Sequence, residues 1–345
     1  MAKKRRTIGV GIVGMGFMGL THLRAARRLK GAKVLAIVTS DPRKARGDFS
    51  GVKGNFGAGG DRESLEGIRI YPDVDTLLAD ERIGLVDVCL PSYLHARAAV
   101  RCLRAGKSVL VEKPMALKAS DAQRMLATAK RTRRLLMVAQ VLNFFPEFAS
   151  LAEAVNSRRH GRLLSFHSRR IIAMPTWSDD SWFGDPELSG GMVVDLHIHD
   201  TDFTVHLFGK PRAVTSHGLV RGGQIHSIRT VYDLGSRGPL LSSEAGWVNA
   251  PSLAFEHGYD AFFEKATIHY DSSHCPIPRV YGPRSHRNLR LPKGDAFQKE
   301  LQAVCDSVKS GRAHPLLSAK SAAVSLSVCL AEQKSVLTGR RVRIP

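Results

Sequence analysis

The sequence predicts an α/β chain in two parts: a doubly wound parallel sheet over residues 1–142, then an α+β domain on an open, mostly antiparallel sheet over residues 143–345. Three observations carry this expectation. Short apolar strands alternate with amphipathic helices through the first part, as in a parallel sheet covered on both faces. From about Phe144 longer alternating segments replace that rhythm. Between the first strand and the first helix stands a glycine-rich turn, Gly14-Met15-Gly16-Phe17-Met18-Gly19.

Residues 8–13 read as the first strand and 20–29 as its helix, with Gly31 where the helix stops. A second strand covers 34–38. Residues 46–67 are rich in Gly, Asp and Ser and lack a clear period, which predicts an irregular surface excursion. A third strand at 68–71 leads into a helical turn at 73–79. Residues 85–90 form an apolar run that Pro91 ends, because proline brings no N–H to a sheet ladder. A helix at 95–105 closed by Gly106, a strand at 108–111, a helix at 119–131 and a strand at 136–141 complete the unit. In the second part, strands are expected at 163–172, 213–220, 227–234, 240–248 and 265–270, and helices at 151–157, 191–207, 296–310 and 318–337.

Composition sets limits on function. At 345 residues, 43% of them hydrophobic, the chain holds about two domains of ordinary size. No apolar run approaches the roughly 18 to 20 residues of a membrane helix, and the basic start Lys3-Lys4-Arg5-Arg6 passes into a strand rather than a secretory signal, so a cytoplasmic protein is expected. Cys89, Cys102, Cys275, Cys305 and Cys329 are widely spaced, as reduced buried thiols are. Lys plus Arg outnumber Asp plus Glu by 51 to 31, a net charge of +20. The basic residues are dispersed and not interleaved with aromatics, so no nucleic-acid partner is expected.

The glycine turn has mechanical meaning in this context. The first glycine permits a tight turn, the second lets the backbone approach a pyrophosphate, the third allows the helix to pack on the strand, and the helix N-terminus faces the phosphate charge. This predicts a Rossmann domain binding NAD(P) through Gly14, Gly16, Phe17, Met18 and Gly19. The tip of the second strand reads Thr39-Ser40-Asp41-Pro42-Arg43-Lys44. Thr39 and Ser40 leave room for a 2′-phosphate that Arg43 and Lys44 can pair with, which favours NADP. Asp41 is the counter-argument, since an acid there can take the ribose hydroxyls; followed by Pro42, it reads better as a helix cap.

Beyond the glycine turn, the segments Pro91-Ser92-Tyr93-Leu94-His95, Ala105 to Pro114 ending Glu112-Lys113-Pro114, Ser189 to Asp202 with Asp195-Leu196-His197-Ile198-His199, and Thr338-Gly339-Arg340-Arg341-Val342 occur in this order. In them the chain resembles the glucose-fructose oxidoreductase, inositol dehydrogenase and rhizopine-catabolism (Gfo/Idh/MocA) family over nearly its whole length. The resemblance implies hydride transfer between a nicotinamide and a sugar or polyol carbon, with Lys113, Asp195 and His199 as the reacting groups. It also implies that Pro91, His95, Glu112 and Lys113 lie at the cofactor. Physical chemistry agrees: on a helix Asp195 and His199, spaced i, i+4, share a face, so the carboxylate orients the imidazole. An imidazole titrates near working pH, and a lysine at a strand end brings positive charge to a developing oxyanion.

Substrate contacts are expected from Lys113, Asn143, Trp182, Asp195 and His199, with Trp177 nearby; aromatic faces there stack on a sugar ring or pack the domain. Asn143 stands where the family often carries an Arg, so a cationic contact is missing. The two histidines at 197 and 199 have the spacing of a zinc-binding strand, but they lie mid-chain behind a glycine pair that reads as a helix start, and no metal is expected. His197 reads as a supporting or packing histidine. A homodimer or homotetramer through the second sheet is expected, because a broad sheet face rarely stays in water. A non-catalytic dinucleotide sensor on the same fold is the alternative, although such a protein is expected to have lost one of the three reacting groups.

Overall fold

The computed structural model describes residues 7–54, 57, 59–175, 182–236 and 238–345. In the first sheet β1 (Ile8–Val13), β2 (Ala32–Val38), β3 (Arg69–Tyr71), β4 (Ile83–Val88), β5 (Ser108–Glu112) and β6 (Leu136–Ala139) are all parallel, in the order β3-β2-β1-β4-β5-β6. Strands β5 and β6 are buried at every position, which is why they read as apolar runs. The order reverses between β1 and β4, and in open α/β sheets ligands bind outside the carboxyl ends of the strands at such a switch point. Helices α1 (Phe17–Ala26), α2 (Pro42–Ala45), α3 (Val74–Leu78), α4 (His95–Arg104) and α5 (Ala119–Thr132) fill the connections. Helix α1 starts at Phe17, three residues before the expected position, because Gly16 already serves as its N-cap.

The first compact unit takes in residues 1–141 and also 294–323. A single cut at 142 therefore needs correcting: α9 (Ala296–Ser310) returns to the first unit, where Phe297 lies beside His22 of α1 and Gln302 accepts the Lys30 N–H.

The second unit, residues 142–293 and 324–345, is built on nine strands. These are β7 (Leu163–Ala173), β8 (Ala213–Arg221), β9 (Gln224–Asp233), β10 (Leu240–Val248), β11 (Glu256–Phe263), β12 (Thr267–Asp271), β13 (Cys275–Tyr281), β14 (His286–Asn288) and β15 (Val342–Arg343), in the order β14-β13-β12-β11-β7-β10-β9-β8-β15. Among the described residues of this sheet only β7 and β10 pair in parallel. Strands β11, β13, β14 and β15 go beyond the expected set. Gly258 interrupts the first of these, and Pro276 and Pro278 break the second at a point where its pairing with β12 is irregular.

One face of this sheet packs on α6 (Pro146–Ser157) and α8 (Ile198–Phe208). Phe148 centres the core, with ring centroids 5.1 Å from Phe203 and 5.4 Å from Tyr259 in edge contacts, each worth about 0.5–1.5 kcal/mol beyond area burial. His257 joins this aromatic group, and burial together with Arg170 lowers its pKa to about 4. The folded state therefore keeps it neutral while the unfolded chain takes up a proton below about 6.5. Stability is lost as pH falls through that window, by at most roughly 3 kcal/mol. Urea titrations at pH 7 and pH 4 should show His257→Gln losing less stability than the parent; equal losses would contradict the assignment.

Candidate active site

The glycine turn follows β1 directly. Gly14 has φ +92°, and a Cβ there would sit 2.5 Å from the Cys89 carbonyl oxygen at the end of β4. A Cβ on Gly19 would lie 2.0 Å from Gly14 O, so α1 can pack this closely only with glycine at 19. At Gly16 the reverse holds, since a Cβ there would meet nothing within 4 Å. Helix α1 has no side-chain cap and no acid in its first turn, which leaves its N–H groups and the positive end of its dipole for an anion. The turn thus fits a pyrophosphate: closed where strand and helix meet, and open at Gly16. Phe17 and Met18, the next two residues, are partly buried.

At the tip of β2, Thr39 is partly buried and Ser40 exposed. Asp41 caps α2, its Oδ1 accepting the Arg43 N–H at 2.8 Å, and that bond holds its carboxyl below the usual range. Arg43 Nε and Lys44 Nζ lie 3.8 and 3.9 Å from the same carboxylate. Past β4, Pro91 begins a tight turn into α4. The two ring nitrogens of His95 lie 2.7 Å from Leu90 O and 2.7 Å from Pro114 O; burial lowers its pKa, so the neutral ring donates to one of these carbonyls, between the chain after β4 and the chain after β5. Both of its polar atoms face the protein's own carbonyls. Glu112, the last residue of β5, is buried, and its Oε2 accepts the Lys113 N–H at 3.0 Å. Lys113 precedes a cis proline, Pro114, and is partly exposed at this carboxyl edge.

In the second unit the two residues expected to react, Asp195 and His199, share one helical segment. Gly190 and Gly191, both at positive φ, lead into a π-helical turn over Val193–His197, and α8 follows without a break. Asp195 lies in the π turn and His199 in α8, so the α-helical spacing expected for the pair needs correcting to a wider i→i+5 turn, a feature common at functional sites. Asp195 is buried and His199 partly exposed.

Buried pairs pin the segment on both sides of His199. His197 Nε2 lies 3.3 Å from Glu332 Oε1 and 3.2 Å from Ser243 Oγ, and Thr201 Oγ1 donates to the same carboxylate at 3.1 Å. Burial opposes ionisation of Glu332, but His197 and the hydrogen bonds outweigh it and lower the pKa. Asp200 takes Arg170 Nε at 2.5 Å. Asp202 accepts from Ser325 Oγ at 2.7 Å and from Asn143 Nδ2 at 3.0 Å; burial still raises its pKa to about 6. Asn143, expected at the substrate, is thus tied to α8. Trp182 stacks on Phe183 with ring centroids 4.0 Å apart, and Trp177 lies outside the described residues. Sequence reasoning did not anticipate Arg170, Asp202 or Glu332; an acid or arginine at an otherwise apolar-facing position was the available signal.

A doubly wound sheet with a pyrophosphate turn at its switch point, joined to this α+β unit, defines a dinucleotide-dependent oxidoreductase. Residues 8–140 match the family model described as an oxidoreductase family with an NAD-binding Rossmann fold, and residues 148–251 match the Gfo/Idh/MocA C-terminal domain. The chain belongs to the Gfo/Idh/MocA family of NAD(P)-dependent oxidoreductases. It is 28% identical to inositol 2-dehydrogenase 2 of Saccharopolyspora erythraea, across 88% of this chain and 86% of that protein. With myo-inositol 2-dehydrogenase of Thermotoga maritima it shares 26% identity, over 97% and 98% of the two chains. An uncharacterized oxidoreductase of Schizosaccharomyces pombe is 32% identical, but over only 45% of this chain and 42% of that one. The structure of levoglucosan dehydrogenase with NADH and levoglucosan shares the fold, with a TM-score of 0.82 at 19% identity, covering 98% and 99% of the chains. Among the described residues no helix is long and apolar enough to cross a membrane.

The glycine geometry makes a separable prediction. Gly19→Ala should lower thermal stability, because its methyl would meet backbone, whereas Gly16→Ala should melt normally and weaken dinucleotide binding in a fluorescence titration. Equal behaviour of the two variants would contradict the assignment.

Proposed function

We propose that this protein interconverts a secondary alcohol and a ketone on a sugar, polyol or sugar derivative, with Lys113, Asp195 and His199 acting on one substrate oxygen. The observation that carries this reading is the position of Lys113, one residue past the end of β5 at the carboxyl edge that carries the glycine turn. Bound nicotinamide supplies the hydride acceptor or donor. His199 takes the hydroxyl proton during oxidation and returns it during reduction. The Lys113 ammonium stabilises charge developing on the oxygen, and Asp195 orients the imidazole and favours its charged form. Glu112 holds the nicotinamide end of the site. The names of the inositol dehydrogenase relatives support polyol chemistry.

NADP is the preferred cofactor in this reading, since Asp41 is occupied in capping α2, and Arg43 and Lys44 follow the small hydroxyl residues Thr39 and Ser40. The test is a panel of cyclic polyols, aldoses and their acids and phosphates, followed by nicotinamide absorbance with each cofactor. Turnover with at least one substrate, faster with NADP, is expected. Lys113→Ala should abolish it while cofactor affinity changes far less. Near-normal turnover in that variant would refute the role of Lys113, and tight cofactor binding with no turnover on any substrate would favour a sensor.

Self-association through the second sheet completes the proposal. Leu240, Phe262 and Tyr281 fall on one cross-strand row and are exposed, with Val231 nearby on the same face. Ion pairs Arg229–Glu244 and Arg169–Glu256 are interleaved with them, the mixed character of a subunit interface. Sedimentation should give a dimer or tetramer that Phe262→Lys dissociates; a monomeric parent would contradict this.

A further inference from the structure

Several titratable side chains meet inside the first unit, beneath the glycine turn. His22 of α1 is 0% exposed. Its Nδ1 lies 2.8 Å from Asp87 Oδ2 on β4. Its Nε2 lies 3.1 Å from Glu112 Oε1 on β5, within ion-pair distance though off the line of a straight hydrogen bond. Cys89 Sγ is 3.5 Å from Nδ1 and 3.5 Å from Asp87 Oδ1. From α9 comes Glu300, equally buried, neither of whose carboxyl oxygens has a hydrogen-bond partner among the described residues.

We propose that His22 is a positioning residue: a doubly protonated imidazole clamped between Asp87 and Glu112, fixing the Glu112 carboxylate and through it the main chain of Lys113. This rests on the reading of Lys113 as the group at the reacting oxygen. A neutral imidazole has one N–H, so one of its nitrogens would turn a lone pair toward a buried carboxylate. A second proton converts that repulsion into attraction, and two buried carboxylates without a cation would be costly. Glu112 completes the linkage, because Oε1 faces His22 while Oε2 accepts the Lys113 N–H at 3.0 Å. One carboxylate thereby joins α1 to the strand end that carries the lysine.

The surrounding groups agree with this protonation state. Burial alone lowers the pKa of His22, but the Asp87 carboxylate outweighs it and raises it well above the ordinary value. Burial pushes the Cys89 thiol and the Glu300 carboxyl upward, so both stay neutral. What remains is one positive charge between two negative ones. The same Nδ1, carboxylate oxygen and Sγ lie within 4.8 Å of one another, a grouping a divalent cation also uses. The 2.8 Å nitrogen–oxygen separation is that of a direct hydrogen bond, which puts a proton where a cation would sit.

The test uses the full chain labelled with 15N, treated with chelator, at pH 8. Ring signals of His22 are assigned by their loss in His22→Asn. Both ring nitrogens should be protonated at a pH where an exposed histidine is neutral; a single protonated nitrogen overturns the clamp. His22→Asn should shift the Lys113 backbone amide signal and lower kcat on the order of 10-fold to 100-fold. An unmoved Lys113 amide, or parental kcat, overturns the positioning role. Stoichiometric zinc in the untreated protein that His22→Asn abolishes would replace the clamp with a metal site. Should no polyol be turned over at all, the ring and amide signals still decide the clamp, so its failure is distinguishable from failure of the proposed reaction.

Discussion

The segments that carry the candidate site residues rest on buried carboxylates, each answered by a partner from a distant stretch of chain. Glu112 meets His22, Asp200 meets Arg170, Glu332 meets His197, and Asp202 meets Asn143 and Ser325. Such pairs add little net stability over well-packed apolar residues, yet losing one partner is costly because a charge is left alone in a low-dielectric interior. Their effect is geometric. The π turn that carries Asp195 has poorer intrinsic support than an α-helix, and the pairs at 197 and 200 leave it few alternatives.

The glycine turn works by the opposite principle, through the absence of side chains. Gly14 and Gly19 allow backbone to meet backbone, and Gly16 keeps open the space into which the N–H groups of α1 project. On this one fold the relatives carry the names of different dehydrogenases, inositol 2-dehydrogenase and levoglucosan dehydrogenase among them.

Much of this was legible in the sequence. Strand β1 and helix α9 fall where periodicity put them, and α5 within a residue, because their apolar faces are regular. The parallel, doubly wound character of the first sheet followed from the alternation of strands and helices. Strand β13 was hidden by two prolines and β14 by its three exposed polar residues. The π turn could not be read, since i, i+4 spacing looks the same for either helix type. Asp87 was concealed inside an apparently apolar run at 85–90, and His22 inside a helix pattern; their meaning exists only once β4, β5, α1 and α9 are assembled. The return of residues 294–323 to the first unit was likewise invisible, because a helix's own sequence does not say which sheet it covers.

The central proposal is that Lys113 and His199 act on one substrate oxygen. A crystal structure of the ternary complex with dinucleotide and a polyol tests it most directly. The account predicts Lys113 Nζ and a ring nitrogen of His199 both within roughly 2.6–3.2 Å of the same substrate oxygen. A substrate whose oxygens contact neither group, or only one of them, would contradict it.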